Sequence, residues 1–300
     1  MARPRCCHGC DGSSALRPRG DTLHYWQARV YLWCRMNKPV ADAWDSGRAY
    51  EQYVGRWSRR VATEFLRWLA PAPRLAWADV GCGTGALAST IVDACAPSSV
   101  YGIDSSEGFV SHARTRIGDP RVHFETGDAT RLPWKSGVHD VTVSGLVLNF
   151  VRDHESMTRE MARVTKPGGR VAAYVWDYAG GMHMMRHFWD AAIAVSPSDA
   201  KLDQAERFPL CQPGPLQALF EQVGLKSVTV RAIDIPTVFQ DFDDYWKPFL
   251  GRTGAAPSYL ASVGVDVQER IRRHLKSRLA STRGGPIELS ARAWGVQGFA

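Results

Sequence analysis

A mostly apolar run, Leu75 to Val80, leads straight into Gly81-Cys82-Gly83-Thr84-Gly85, and a helical pattern resumes at Ala86. Glycines at alternate positions let the backbone turn sharply and come close to a ligand. A strand that ends in such a turn and feeds a helix at once is the opening unit of a parallel sheet with helices on its faces.

The chain continues in that rhythm. Val61, Phe65, Leu66 and Leu69 fall on one face of a helix that Pro71 and Pro73 stop. After the glycine turn come a helix near Ala86 to Ala96, a strand Val100 to Ile103 ending at Asp104, a helix Glu107 to Arg116 and a strand Val122 to Glu125. Val138 to Leu148 reads as a β-branched strand, His154 to Val164 as a helix, and Pro167-Gly168-Gly169 as the turn into a strand Arg170 to Trp176. Beyond Trp176 the rhythm breaks. Helices are expected at Gly181 to Val195, Pro213 to Val223, Asp241 to Leu250 and Val267 to Ala280, with strands at Leu225 to Ile235 and Ile287 to Val296.

Composition removes several function classes. Apolar residues make up 45% and charged residues 22%, as in an ordinary globular chain, and no run approaches the roughly eighteen apolar residues of a membrane helix. Of the net charge of +7, residues 1–35 carry +4 and the rest only +3. The basic stretch Glu269 to Arg283 has Ile271, Leu275 and Leu279 at helical spacing, as a solvated helix face does. Neither a nucleic-acid nor a membrane partner is therefore expected. Seven cysteines, an odd number, without a secretory segment point to a reducing cytoplasm. Cys6, Cys7, His8 and Cys10 lack a second ligand pair at zinc-finger spacing, so no metal is expected. Residues 1–35 read as a disordered tail, or as sequence upstream of a true start at Met36, and residues 36–300 as one domain.

Ligands of open parallel sheets bind beyond the carboxyl ends of the strands. There Gly81-x-Gly83-x-x-Ala86, with Asp104 downstream, satisfies the dinucleotide fingerprint, so a nicotinamide-dependent oxidoreductase is one reading. Asp79 tells against it, because a carboxylate just before the turn repels a pyrophosphate and attracts an ammonium group. In Gly127-Asp128-Ala129, an acidic side chain can accept a hydrogen bond from an adenine amino group. Asp79, Asp104 and Asp128 would then mark ammonium, ribose and base along one edge.

In this order and spacing the motifs resemble the class I S-adenosylmethionine-dependent methyltransferases, most closely the type 11 group that includes the ubiquinone and menaquinone methyltransferases. Asp79 to Gly85 matches the family's first motif, Asp104 its ribose-binding acid and Asp128-Ala129 its adenine-contacting pair. Asp140 to Asn149 is similar to its fourth strand, and Val164-Thr165-Lys166-Pro167-Gly168-Gly169 to the turn before its fifth. The resemblance implies an α/β fold, a Rossmann-like doubly wound sheet of seven strands with the last antiparallel, and helical insertions over the substrate side. It implies S-adenosyl-L-methionine as cofactor, held by Asp79, Gly81, Cys82, Gly83, Thr84, Gly85, Asp104, Ser105, Asp128, Ala129, Ser144 and Gly145. The chain departs from the pattern after the fourth strand, where many relatives have His and this sequence has Asn149-Phe150.

The implied reaction is in-line methyl transfer to a small-molecule acceptor, partly apolar or aromatic; a non-catalytic donor-binding protein is a further alternative. The acceptor is expected near Leu146, Asn149, Phe150, Trp176, Met185, Phe188 and Trp189. Where a proton must leave the acceptor, Asp177, Tyr178, His154 and His183 are the candidate bases. Residues 178–212, with Gly180 and Gly181 as a hinge, are expected to form a lid, and residues 236–285 a second helical insert.

Overall fold

The computed structural model describes residues 54–251, 254–279 and 285–300; residues 1–35 with the cysteine cluster, and the proposed start at Met36, lie outside them. Helix α1 (Arg56–Leu69) buries the predicted stripe of Val61, Phe65, Leu66 and Leu69, and Ala70 closes it in the left-handed conformation. The α/β alternation follows as β1 (Ala76–Val80), α2 (Ala86–Cys95), β2 (Ser99–Asp104), α3 (Glu107–Arg116), β3 (Val122–Thr126), β4 (His139–Gly145), α4 (His154–Val164) and β5 (Thr165–Trp176). Caps fix the helix starts: Ser106 accepts from the Phe109 amide and Asp153 from the Ser156 amide.

Among the described residues, seven strands form one sheet in the order β3-β2-β1-β4-β5-β7-β6, where β6 is Lys226–Phe239 and β7 is Ile287–Phe299. The first five strands run parallel, and β7 lies antiparallel between β5 and β6. Pro236 is tolerated inside β6 because that strand is the sheet edge, where a missing amide donor breaks no inner ladder.

Several expected boundaries move. β5 begins at Thr165, so the Pro167-Gly168-Gly169 segment expected as a turn lies within it, where the pairing with β4 shifts register between His139 and Val141. The apolar run Val138 to Leu148 is not all strand: β4 ends at Gly145, Leu146 turns to φ 63°, and Leu148–Phe150 is a 3-10 turn. Its hydrophobicity continues because Leu146 and Leu148 stay buried beneath the loop. The final strands are longer than periodicity indicates, since β6 and β7 pair continuously from Thr229 with Gln297 to Phe239 with Ile287.

The segments that break the rhythm build a second, helical core. It comprises α5 (His183–Val195), a 3-10 turn Pro197–Leu202, α6 (Gln204–Arg207), α8 (Phe242–Trp246), α9 (Ala255–Ser262) and α10 (Val265–Leu279), whereas α7 (Pro213–Gln222) packs on β6 and β7 of the sheet. Sequence periodicity missed α6 and α9, which are short and carry little amphipathic pattern. Phe188 stacks on Phe249 at 4.6 Å, Trp189 lies 5.3 Å from Tyr259, and the Tyr245 hydroxyl donates to the Met184 carbonyl at 2.8 Å. On α10 the basic face is partly neutralised, by Arg272 with Asp243 and Arg278 with Asp190. Among the described residues no helix is long and apolar enough to cross a membrane.

Candidate functional site

A cavity of about 260 Å³ opens where β1, β2, β4 and β5 end. Its floor is the glycine turn. Gly81, Gly83 and Gly85 have φ of 77°, 52° and 83°, a region where a side chain is strained. A Cβ on Gly81 would also stand 2.5 Å from Val147 Cγ1, whereas one on Gly83 would meet nothing within 4 Å. The turn thus presents bare backbone to the cavity at Gly83.

Hydrogen bonds sew this turn to β2. The Gly81 and Cys82 amides both donate to the Ile103 carbonyl, at 2.8 and 3.0 Å. Asp104 accepts from the Gly83 amide through Oδ2 at 3.0 Å and from the Ser106 amide through Oδ1 at 2.9 Å. Each carboxylate oxygen keeps a second lone pair for a ligand. Burial raises the Asp104 carboxyl above its usual range, against the lowering effect of the two amides. With two turn amides consumed by Ile103, the turn is not a free anion nest, which removes the basis for a dinucleotide pyrophosphate there.

Asp79 lies at the cavity floor, with no exposed surface. Burial, then the Asp104 charge, pushes its carboxyl up to about 7, with the Ala88 amide acting weakly the other way. Neither Asp79 oxygen makes a hydrogen bond of normal geometry. An unpartnered buried carboxylate is costly unless a cation or donor completes it, so Asp79 is the side chain of the cavity best suited to a cationic group.

The other half of the cavity is apolar. Tyr174, Trp176 and Tyr178 line it at alternate positions, climbing the end of β5 on one side. Leu146, Val147, Phe150, Val151 and Met185 face them, and Val54 and Ser58 come from the start of α1. Phe208, just after α6, packs on Phe150 at 5.2 Å and on Tyr178 at 5.5 Å, tying the helical insert to the cavity rim.

Of the expected donor residues, Asp79, Gly81, Cys82, Gly83, Thr84, Asp104, Ser105 and Gly145 line this cavity. Gly85 instead lets α2 approach Ile117, which a Cβ would meet at 2.6 Å. Ser144 is fully buried inside β4. Asp128 and Ala129 stand outside the cavity wall; Asp128 is exposed and accepts from the Thr130 amide and hydroxyl, both at 2.8 Å. They remain beside the site, since the Gly127 amide donates to the Asp104 carbonyl.

Of the acceptor set, Leu146, Phe150, Trp176 and Met185 line the cavity, and Asn149, Phe188 and Trp189 do not. Phe188 and Trp189 belong to the helical core, as their rings on Phe249 and Tyr259 show. Helical spacing alone cannot separate core from pocket. Among the candidate bases, only Tyr178 reaches the cavity. Asp177 accepts from the Gly180 amide at 3.2 Å and organises the turn after β5. His183 Nδ1 faces Ser290, and His154 opens α4 away from the cavity. Sequence reasoning missed Tyr174, Ser58, Phe109 and Val147; the alternation of aromatics at 174, 176 and 178 is the signal that could have found the first.

Comparison with known proteins agrees with this architecture. The family described as a methyltransferase domain, type 11, matches residues 78–173. A demethylmenaquinone methyltransferase of Halalkalibacterium halodurans is 40% identical over 97 residues, covering 31% of this chain and 40% of the relative. The chain thus spans well under half the length of that relative. A phosphoethanolamine N-methyltransferase 2 of Haemonchus contortus, solved with phosphomonomethylethanolamine and S-adenosylhomocysteine, superposes with a TM-score of 0.55 at 16% identity, over 86% of this chain and 58% of that one. The cyclase SpnF superposes with a TM-score of 0.52 at 18% identity, over 91% of this chain and 94% of that one. The two structures share the fold, and their names differ in chemistry.

Proposed function

We propose that this chain, whose residues 78–173 match the methyltransferase-domain family, transfers the methyl group of S-adenosyl-L-methionine to a small acceptor with an apolar or aromatic body. The observation that carries this reading is a single cavity with two unlike halves. One buried carboxylate, Asp79, and one half-buried, Asp104, stand at the ends of β1 and β2, and an aromatic wall stands at the ends of β4 and β5.

The donor fits the first half. Asp79, with both oxygens unpartnered, suits an amino-acid ammonium, and Asp104, already aligned by two amides, suits a pair of ribose hydroxyls. Gly83 gives space for close approach, and Asp128 and Ala129 would flank the adenine at the outer edge. When bound, the donor supplies a methyl group already activated on a cationic sulfur, which departs as a neutral thioether. The protein's own work is alignment and exclusion of water. Trp176, Tyr178 and Phe150 would hold the acceptor so that its nucleophile forms a bond to the methyl carbon as the carbon–sulfur bond breaks. Where the acceptor must lose a proton, Tyr178, the one candidate base in the cavity lining, would take it up.

The test is calorimetry with S-adenosylhomocysteine and with NADH, followed by incubation with methyl-labelled donor and a fractionated metabolite extract. Binding of the first nucleoside and label in a small apolar product are expected. NADH binding without S-adenosylhomocysteine binding refutes the reading. The placement of Asp177, His154 and His183 outside the cavity favours one alternative, donor binding without turnover. Tight donor binding with no labelled fraction would support it.

A further inference from the structure

One buried side chain in the cavity wall has no task in the account above. Tyr174 is 2% exposed and sits on β5 opposite Gly145 of β4. Its ring leans on Phe65 of α1 at 4.6 Å, which fixes the body of the side chain under the sheet ends. Its tip extends over Gly145. A Cβ there would meet the Tyr174 hydroxyl oxygen at 2.6 Å, Cζ at 2.8 Å and Cε1 at 3.0 Å. Gly145 has an ordinary backbone angle, so glycine is required at this position for room and not for conformation.

The strand order says where that tip points. β4 lies between β1 and β5, and Asp79 pairs with Val143 while Gly145 pairs with Tyr174. The Tyr174 side chain therefore crosses β4 at the level where β1 passes into its glycine turn. It ends between the carboxylate half and the aromatic half of the cavity. A donor whose ammonium is at Asp79 and whose ribose is at Asp104 carries its sulfonium between those two ends.

We propose, resting on the donor reading above, that Tyr174 is a positioning residue that distinguishes the cationic donor from its neutral product. Its phenolic oxygen is an acceptor dipole facing the polarised C–H groups that surround a sulfonium. Such contacts are individually weak but directional. Once the methyl has left, the sulfur is neutral and its substituents lose that polarisation, so the attraction disappears. Gly145 makes the contact possible by leaving β4 without a side chain at the crossing point.

The test compares the affinities of S-adenosylmethionine and S-adenosylhomocysteine by calorimetry on the full chain. Tyr174→Phe keeps the ring on Phe65 and removes only the oxygen. It should weaken S-adenosylmethionine binding about threefold or more and leave S-adenosylhomocysteine within experimental error. Gly145→Ala, which displaces the tip, should lower the same ratio, and thermal melts of both variants check that they fold. A general packing defect would weaken both ligands alike. If wild type binds both ligands and Tyr174→Phe leaves their ratio unchanged, or shifts both affinities by one factor, the role of Tyr174 is refuted while the donor reading stands. If wild type binds neither, the donor reading itself fails and takes this proposal with it.

Discussion

Replacing Asp79 by Asn should abolish one specific loss of stability that the wild type suffers as pH rises toward neutrality. In the folded, ligand-free chain burial pushes this carboxyl up to about 7, whereas in the unfolded chain it titrates near 4. Between those values the unfolded state releases a proton that the folded state retains, so stability falls as pH rises from about 4 through about 7 and levels off above. From pH 5 to 8 the group costs the folded form about 3 kcal/mol, at roughly 1.4 kcal/mol per unit over the two units below 7. For a chain of this size that is a melting-temperature difference of roughly 6 to 10 °C. Thermal melts of wild type and Asp79→Asn without donor, at matched ionic strength from pH 5 to 8, isolate the group because every other titration is common to both. The wild-type curve should drop away from that of the variant as pH rises. Parallel curves would show that Asp79 is already satisfied in the free protein, and the argument that it awaits a cation would collapse. The same titration predicts weaker S-adenosylmethionine binding by wild type below pH 7, where pairing with an ammonium first requires loss of the Asp79 proton.

Three further outcomes are expected. Asp104→Ala should weaken S-adenosylhomocysteine binding by about 2 to 3 kcal/mol in calorimetry, because it removes a charge-assisted partner and releases the Gly83 and Ser106 amides together. Phe188→Ala should cost about 3 to 5 kcal/mol of stability in denaturant titration, as core truncations do, with donor affinity retained in the fraction that folds; Trp176→Ala should instead reduce methyl transfer more than donor affinity, and the reverse pattern would exchange their roles. Gly81→Ala should lower the melting temperature by several degrees, since both its φ of 77° and the contact with Val147 oppose a side chain.

Much of the sheet was legible because its signals are local. Helices Glu107–Arg116 and His154–Val164 follow from a cap and a face, and β1 from an apolar run closed by glycines. That Asp79 to Gly83 and Asp104 would meet at one cavity was legible for the same reason, since they are short-range motifs at the ends of consecutive strands. The acceptor half was only partly so. Met185 and Phe188 lie on one helix three residues apart, yet one faces the cavity and the other stacks on Phe249 across 61 positions of sequence. No periodicity records which neighbour arrives from that distance. The candidate bases were misjudged for a related reason: Asp177 follows directly on a strand end as catalytic residues often do, but its carboxylate accepts from the Gly180 amide three residues further on. Ser58 and Val54 were missed because a helix preceding the first strand gives no local sign that its start reaches over the cavity.

The placement of β7 has a consequence for the order in which the molecule can be made. It is the last of the seven strands along the chain, yet it lies inside the sheet, antiparallel to β5 on one side and to β6 on the other. As the chain leaves the ribosome, β1 to β5 can assemble from neighbouring segments. β6 has no partner until β7 has been synthesised, and β5 meanwhile offers an open edge ending in Tyr174 and Trp176. Such an edge is an invitation to pair with the wrong strand. The aromatic wall of the cavity therefore acquires its backing last, and productive folding depends on the helical insert between β6 and β7 delivering that strand before another chain does.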